Sequence, residues 1–289
     1  MALQLLVSGL LLGAVYSLVA MGLSLIWGVM GVINFAHGAQ MMIAMYLAYW
    51  ANVYLGFDPV TMVPLVVLAM FVFGIVTYKV VIAPVLSGPF LARLLVTFGL
   101  GIFLIYLAQF LWSPNYRLLR NLPFQGVFFL DIGPGLIIEI PKLVAAVGSL
   151  IVAALFYWLL KMTKMGLAIQ AISTNRVAAA LMGIELERMY ALSFGLGIAS
   201  AGAAGSLLAN YYYIFPDVGT MFGLIALIAV ALGGFGSIEG AFLGALILGI
   251  VEIAGGFMVG PAYKYALLFL LYILVVLIRP RGLLGWGDE

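Results

Sequence analysis

The residue types that can do chemistry are concentrated near the start of the chain, in the stretch GVINFAHGAQ at 31–40. This stretch contains Asn34, Gln40 and the only histidine of the sequence, His37. His37 and Gln40 are three positions apart, so they share one face of a predicted helix. That face turns either toward another helix or toward a polar path, and both interpretations stand. Asn34 is predicted to cap the helix by accepting from the amide near His37.

A second candidate is Glu252, the one carboxylate well inside a long apolar stretch. An ionisable group in such a position is costly in a membrane and normally faces the protein interior or a water-filled cavity. Three roles for Glu252 remain open. It can bond to a neighbouring helix, line a solute path or carry a proton.

Sequence motifs of catalytic sites are missing. The chain has neither HExxH nor GxSxG, it has no cysteine, and one histidine does not make a metal site. The glycine-rich stretch GGFGSIEG at 233–240 lacks the Lys-Ser/Thr pair of a phosphate-binding loop and follows no predicted strand. It is predicted to form a tight turn between helices. We therefore expect no enzyme activity, bound cofactor or metal for this chain.

The composition indicates which elements position these residues. Hydrophobic residues make up 66% of the 289 positions, charged residues 8%, and the mean hydropathy is +1.28. Water-soluble domains do not have this composition, and the chain contains many apolar runs of the roughly 20 residues that a membrane helix needs. The sequence predicts an all-α integral membrane protein, a polytopic bundle of about 8–10 spans with one or more short or broken helices.

Charged and proline-rich breaks delimit the predicted spans, and the whole chain, 1–289, is predicted to form a single domain. The seventh span is short, which is typical of a broken or re-entrant helix. The nine spans are predicted at 3–27, 33–54, 62–80, 91–112, 141–161, 189–212, 219–233, 240–259 and 264–279.

Lysine and arginine are distributed unevenly between the connecting loops. With the amino terminus outside, eight basic residues lie on the cytoplasmic side and four outside, as the positive-inside rule requires. The longest external loop is then about 113–140, and the longest cytoplasmic segment is about 165–188. A net charge of +2 gives no reason to expect binding to nucleic acid.

The cytoplasmic segment is too polar to cross a bilayer, yet it is rich in helix formers. Thr174 or Asn175 is predicted to cap a short helix that runs through Leu181 and stops at Gly183. This helix has an apolar face, which lies either on the inner leaflet or in a groove of a soluble partner. Both interpretations are open on the residues alone.

Four separated stretches resemble the permease subunits of branched-chain amino acid ABC importers. These are GLSLIWGVMGVINFAHGAQMM at 22–42, VTFGL at 96–100, NRVAAALMGI at 175–184 and ALGGFGSIEGAFLGALILGIVE at 231–252; IRPRGLLG at 278–285 closes the chain as this family closes. The family commonly has an acidic residue at the position of Val177 and arginines at those of Leu167 and Gln170. The segment is therefore less charged here than is usual.

The resemblance implies roles for particular residues. It places 31–40 in the transport path or gate, so that Asn34, His37 and Gln40, together with Glu252, are candidate pathway residues. It also implies that 175–184 couples the permease to an ATPase. The candidate coupling residues are Asn175, Arg176, Ala178, Ala179, Leu181, Met182, Gly183 and Ile184.

The function implied is that of the membrane-spanning subunit of a bacterial ABC importer in the inner membrane. Its expected partners are ATPase subunits that carry ATP and Mg²⁺, a second identical or related permease, a periplasmic binding protein, lipid and a small solute. A branched-chain or other hydrophobic amino acid is the expected solute, with urea, short amides or aromatic acids as alternatives. An ion-coupled secondary transporter or a passive channel is the alternative of another class.

Overall fold

The computed structural model describes residues 1–119, 129–133, 136–279 and 282–284. The α3 helix continues into a π-helical turn at Tyr78–Ile82 and a 3-10 turn at Ala83–Val85, and a 3-10 turn at Pro261–Tyr263 precedes the last helix. The helices within the described ranges are α1 (Ala2–Met30), α2 (His37–Leu55), α3 (Val63–Thr77), α4 (Phe90–Trp112), α5 (Ile140–Met162), α6 (Lys164–Thr174), α7 (Arg176–Leu181), α8 (Leu186–Leu208), α9 (Val218–Gly233), α10 (Ile238–Val259) and α11 (Lys264–Ile278).

The predicted helical bundle is confirmed, because every predicted span coincides with a helix. Seven of the described helices are long and apolar enough to cross a membrane. The two other predicted spans are shorter or more polar: α2 has 19 residues and α9 has 16. The short seventh span expected from the sequence is α9.

The centre of the bundle is formed by α1 and α8, whose side chains are mostly buried, whereas α4 and α11 lie at the periphery. Close packing at the centre depends on glycines. A Cβ atom at Gly9 would lie 2.6 Å from the Cα of Ile250, and one at Gly13 would lie 2.8 Å from that of Leu246. Gly9 and Gly13 therefore form a helix interface, since only glycine lets the backbones of α1 and α10 approach so closely.

Gly260 does not pack a helix interface as Gly9 and Gly13 do. It ends α10, at a φ of +113°. The turn predicted at 233–240 is confirmed. The α9 helix ends at Gly233, and the Ser237 side chain caps α10 by accepting from the Gly240 amide at 3.0 Å. Gly234 and Gly236 both have positive φ, which explains why glycines are needed between the two helices.

A two-stranded hairpin, not expected from the sequence, lies in the long loop that is predicted to be external. Strand β1 (Phe129–Gly133) pairs antiparallel with β2 (Leu136–Glu139). The Gln4 side chain donates to the carbonyl of Ile137 at 2.7 Å and accepts from its amide at 2.9 Å, which fixes the hairpin to the start of α1. Two of the basic residues used to predict orientation, Arg120 and Arg281, lie outside the described residues, as do parts of the 113–140 loop and of the closing stretch 278–285.

Candidate functional site

The connection between α1 and α2 returns into the bundle rather than staying at its end. The α1 helix ends with Gly31 at a φ of +62°, and residues 31–34 have no regular secondary structure. His37, the first residue of α2, lies 3.0 Å by its Nε2 from the carbonyl of Val19. Val19 is about three turns, or about 16 Å, before the end of α1. The second span therefore begins near the middle of the first.

The predicted cap at the start of α2 is wrong in detail. The Asn34 side chain accepts from the Ala36 amide at 3.1 Å, and the His37 amide bonds instead to the Asn34 main-chain carbonyl at 3.1 Å. The reason is a tight turn at 34–37, which brings Ala36 rather than His37 within reach of the short side chain. Asn34 Nδ2 then donates to the Gln40 Oε1 atom at 2.7 Å.

His37 and Gln40 are both buried, and each keeps one polar atom unpaired. Because a carbonyl oxygen only accepts, the His37 Nε2 atom carries the proton, and its Nδ1 atom is left without a partner among the described residues. The Gln40 Nε2 donor is likewise unpaired within the described part of the chain. These two side chains lie behind Asn34, so their role in a path or gate remains a prediction.

A cavity of about 220 Å³ lies beside Asn34, between α1, α2, α4 and α9. Its polar lining is small: the Asn34 and Thr220 side chains and the first turns of α2 and α9, which meet at Gly38 and Gly219. The remaining walls are apolar. The large apolar side chains of these walls are Leu23, Ile33, Phe35, Phe98, Ile102, Ile105, Leu224 and Leu227.

A carboxylate at the start of α9 lies one hydrogen bond away from a residue that lines this cavity. Asp217 precedes the helix, and the Thr220 hydroxyl, which lines the cavity, donates to its Oδ1 atom at 2.5 Å. Asp217 forms no ion pair with any lysine or arginine that the structure describes. Neither residue was among the predicted site residues, although an aspartate directly before a short apolar helix is unusual for a membrane segment.

Glu252, on α10, is 4% exposed. Its carboxylate accepts from the Tyr16 hydroxyl at 2.7 Å and from the Lys264 ammonium at 2.7 Å. Of the three roles left open by the sequence, these bonds support the first, since both oxygens join neighbouring helices. Glu252 does not line the cavity beside Asn34.

The 164–184 segment folds into α6, α7 and a turn outside the long helices. The predicted short helix is confirmed, and its cap is Asn175 rather than Thr174, because the Asn175 side chain accepts from the Ala178 amide at 3.0 Å. Gly183 follows the helix with a φ of +81°. An additional helix, α6, precedes it and is capped by Thr163, which accepts from the Gly166 amide.

One side of α7 rests on the bundle and the other has no partner among the described residues. Ala179 is 4% exposed, whereas Leu181 and Met182 are each 83% exposed. The Arg176 guanidinium lies over the Tyr190 ring of α8 at 6.0 Å and beside Gly31. Arg176 thus lies next to the start of the 31–36 connection that leads to the cavity.

A second cavity, of about 470 Å³, separates the 164–184 segment from the end of α1 and the 234–237 turn. Its lining mixes aromatic rings with charged groups, among them Arg176 and the Lys161–Glu239 ion pair at 3.0 Å. The segment therefore leaves space between itself and the spans. In the predicted orientation this cleft faces the cytoplasm.

Comparison with known proteins gives a consistent family. Residues 5–276 match the model of the permease component of branched-chain amino acid transport systems. The BraD permease protein of the high-affinity branched-chain amino acid transport system of Pseudomonas aeruginosa is 35% identical over 98% of this chain and 95% of its own. The corresponding LivH protein of Escherichia coli K12 is 33% identical over the same shares.

A probable LivH of the archaeon Methanocaldococcus jannaschii is 28% identical over 93% of this chain and 88% of its own. No solved structure matches the chain. The helices long enough to cross a bilayer and the full-length matches to permeases make this a multi-pass membrane protein. The chain belongs to the family of permease components of branched-chain amino acid transport systems.

Proposed function

We propose that this chain is the membrane-spanning subunit of a bacterial ABC importer for branched-chain amino acids, located in the inner membrane. The solute enters from a periplasmic binding protein and crosses between this chain and a second, identical or related permease. ATP hydrolysis with Mg²⁺ takes place on separate ATPase subunits. The similarity to BraD and LivH over nearly the whole chain supports the family and the solute class.

The observation that carries the coupling part of the proposal is the exposed apolar face of α7. Two large apolar side chains that are each 83% exposed at the end of a six-residue helix gain little from contact with this chain alone. Burial of such side chains in a groove stabilises a complex by about 1.5–3 kcal/mol each. An ATPase groove that buries Leu181 and Met182 therefore binds α7 tightly.

Movement of α7 reaches the cavity through direct contacts. The Arg176 guanidinium lies beside Gly31, where the connection to α2 begins, and Arg93 of α4 donates to the Gly31 carbonyl at 3.5 Å. Thr97 of α4 donates to the carbonyl of Ile33, which lines the cavity. ATP-driven displacement of α7 then biases the bundle between outward-open and inward-open states, provided that these contacts differ between the two states.

The test uses the full importer, with the permease pair, ATPases and binding protein, in proteoliposomes. The double variant L181D/M182D is expected to lose at least about 90% of ATP-dependent leucine uptake and to release the ATPase on purification, because a buried carboxylate without a partner is costly. L167D is the matched control, since Leu167 is an exposed leucine on α6. Uptake and ATPase retention by L167D should stay near those of the unmodified protein.

Two outcomes would overturn the proposal. If the unmodified chain brings down no ATPase, or if L181D/M182D imports leucine as well as L167D does, α7 is not the coupling helix. The same vesicles supplied with urea, a short amide or an aromatic acid test the alternative solutes. Leucine uptake that continues without ATP and collapses when an ion gradient is removed would indicate a secondary transporter.

A further inference from the structure

We propose that the cytoplasmic half of this chain binds one anionic phospholipid of the inner leaflet, with an acyl chain in a groove between α5 and α10 and its phosphate beside Arg176. The inference goes beyond the proposed function, because it concerns neither the solute nor the ATPase. Three observations support it: two cavities that meet, the depth at which they lie, and a positive charge that the chain leaves without a partner.

The first cavity is an apolar groove of about 390 Å³ between α5 and α10. Both helices pack against α1, and the groove is the gap that remains between them. Its floor includes Met21 of α1, which is buried, whereas Leu150 and Leu243 on its two sides are exposed. Ala153 and Ala154 also line the groove, and their small side chains widen it. The groove is therefore open to the surroundings of the bundle and can take up a chain of methylene groups.

The groove occupies one half of the membrane depth. Leu150 lies at the middle of α5, and Tyr157 lies about 10 Å further along the helix toward its end. On α10 the groove is lined by the first two turns, from Ile238 to Leu243. One leaflet supplies about 15 Å of the hydrocarbon core. In the predicted orientation the groove thus runs from near the bilayer centre toward the cytoplasmic surface, as an acyl chain of the inner leaflet does.

At its cytoplasmic end the groove meets the cleft of about 470 Å³, because Tyr157, Ile238 and Glu239 line both cavities. Polar groups begin at this boundary. The Lys161 ammonium lies 3.0 Å from the Glu239 carboxylate and 5.6 Å from the centre of the Tyr157 ring. Tyrosine and lysine side chains of this kind are typical of the membrane–water interface. An apolar groove that opens into a polar cleft at this level fits an amphipathic molecule, with its chain in the groove and its head group in the cleft.

The charge of the cleft favours an anionic head group. Three charged side chains line it, and Lys161 and Glu239 compensate each other. Arg176 forms no ion pair with any acid that the structure describes. A phosphodiester carries one negative charge, and a guanidinium binds phosphate oxygens with charge-assisted hydrogen bonds. Basic pockets between membrane helices on the cytoplasmic side bind anionic head groups in this way.

The head group rather than the chain is expected to decide which lipid binds. An acyl chain that enters the groove leaves other apolar chains behind, so the hydrophobic effect contributes little. Phospholipids with identical chains make identical contacts in the groove. A preference between head groups must then come from the cleft, and above all from Arg176.

The test uses the complete importer in phosphatidylcholine nanodiscs with a trace of phosphatidylglycerol that carries a photoreactive group in one acyl chain. The labelled peptides should come from the parts of α5 and α10 that line the groove. Unlabelled phosphatidylglycerol and phosphatidylethanolamine with the same chains then compete with the probe. The anionic lipid should halve the labelling at about ten-fold lower mole fraction, the effect of one charge-assisted hydrogen bond.

Two pairs of variants separate the head group from the chain. Arg176→Gln should reduce the preference for phosphatidylglycerol to about three-fold or less, because the charge-assisted bond is lost. Arg188→Gln is its control, since Arg188 is an exposed arginine that lines neither cavity, and should keep the preference. Ala154→Trp fills the groove and should remove most of the labelling. Leu155→Trp adds the same ring at an exposed position outside the groove and should not.

Three results would overturn the proposal. A preference that Arg176→Gln leaves unchanged would mean that the head group does not reach the cleft. Displacement of the probe by glycerol 3-phosphate as readily as by phosphatidylglycerol would assign the cleft to a soluble phosphate ester, since this compound has no chain. Cross-linking of Ala154→benzoylphenylalanine to a second permease rather than to lipid would place the groove at the interface between permeases.

Discussion

Two regions of the molecule hold a helix in place in opposite ways. One is the junction of α2 with α9, and the other is the short helix α7. At the junction two backbones touch, since a Cβ atom added at Gly38 would lie 2.0 Å from the Gly219 carbonyl oxygen. At the end of α7, a Cβ atom added at Gly183 would meet nothing within 4 Å. The first region is fixed by this chain alone, and the second leaves its apolar side chains without a partner among the described residues.

The difference teaches where stability and coupling reside. Substitutions at the junction change packing inside the bundle and should act on folding first. Substitutions on α7 change an exposed surface and should act on transport while the bundle remains intact. Substitutions in the two regions test whether stability and coupling are separate in this way, and the effects expected from them decrease from the junction to α7.

The largest effect is expected from Gly38→Ala. The added methyl group would clash with the backbone of Gly219 and would lie 3.0 Å from the Cα of Gly223, and backbone atoms cannot rotate away. Overpacking of this kind costs about 1–3 kcal/mol and more where relief requires backbone movement. The thermal unfolding midpoint of the purified chain in detergent should fall sharply.

Gly99→Ala is the control for this substitution. Gly99 lies on α4, with nothing within 4 Å of an added Cβ atom. Alanine in a helix interior is about 0.5–1 kcal/mol more favourable than glycine, so the midpoint should be unchanged or slightly higher. A midpoint for Gly38→Ala equal to that of Gly99→Ala would show that α2 and α9 do not touch as described.

A smaller loss of stability is expected from Glu252→Gln. The substitution leaves the Lys264 ammonium, whose side chain is 31% exposed, without its carboxylate, and weakens the bond from Tyr16. Loss of a charged hydrogen bond in a partly buried position costs about 1.5–3 kcal/mol. The unfolding midpoint should fall, and the double variant E252Q/K264M should recover part of the loss because it removes both charges.

The exposed pair of Glu139 with Lys142 provides the comparison, since both side chains are close to half exposed. Glu139→Gln should change stability by less than about 1 kcal/mol. Equal effects of Glu139→Gln and Glu252→Gln would mean that the pair with Lys264 is as solvated as the one at the surface. The polar contacts of the bundle would then be open to water, although its helices are closely packed.

Predictions from local signals matched the structure best. The apolar runs give the helices. The short helix α7 was predicted with a cap at Thr174 or Asn175 and a stop at Gly183, because each of these signals lies within one turn of the helix end that it sets. The pairing of Asn34 with Gln40 was not predictable in the same way. It depends on a turn that draws the Asn34 side chain away from His37, and sequence spacing alone permits either geometry.

Contacts between distant segments account for the rest of what the sequence did not indicate. The pairing of Glu252 with Tyr16 joins positions 236 apart along the chain, and nothing local specifies it. The cavity is similar, because α4 and α9 supply walls that are remote in sequence from Asn34. The sequence shows which residues are unusual for a membrane helix, whereas only the folded structure shows which of them contact each other.

The smallest effect, and the sharpest test of the division, is expected from Asn175→Ala. The alanine cannot accept from the Ala178 amide, and loss of such a cap costs about 1 kcal/mol. A helix of six residues is marginal without external support. Leucine uptake by the reconstituted importer should therefore fall by about five-fold, a little under what 1 kcal/mol allows. Asn175→Asp preserves the cap and should keep most of the uptake.

The unfolding midpoint of the isolated permease should be the same for both variants, since only Ala179 of this helix is buried against the bundle. A midpoint lowered by Asn175→Ala as much as by Glu252→Gln would place α7 among the elements that stabilise the bundle, and the distinction between a self-sufficient interior and an exposed coupling helix would no longer hold.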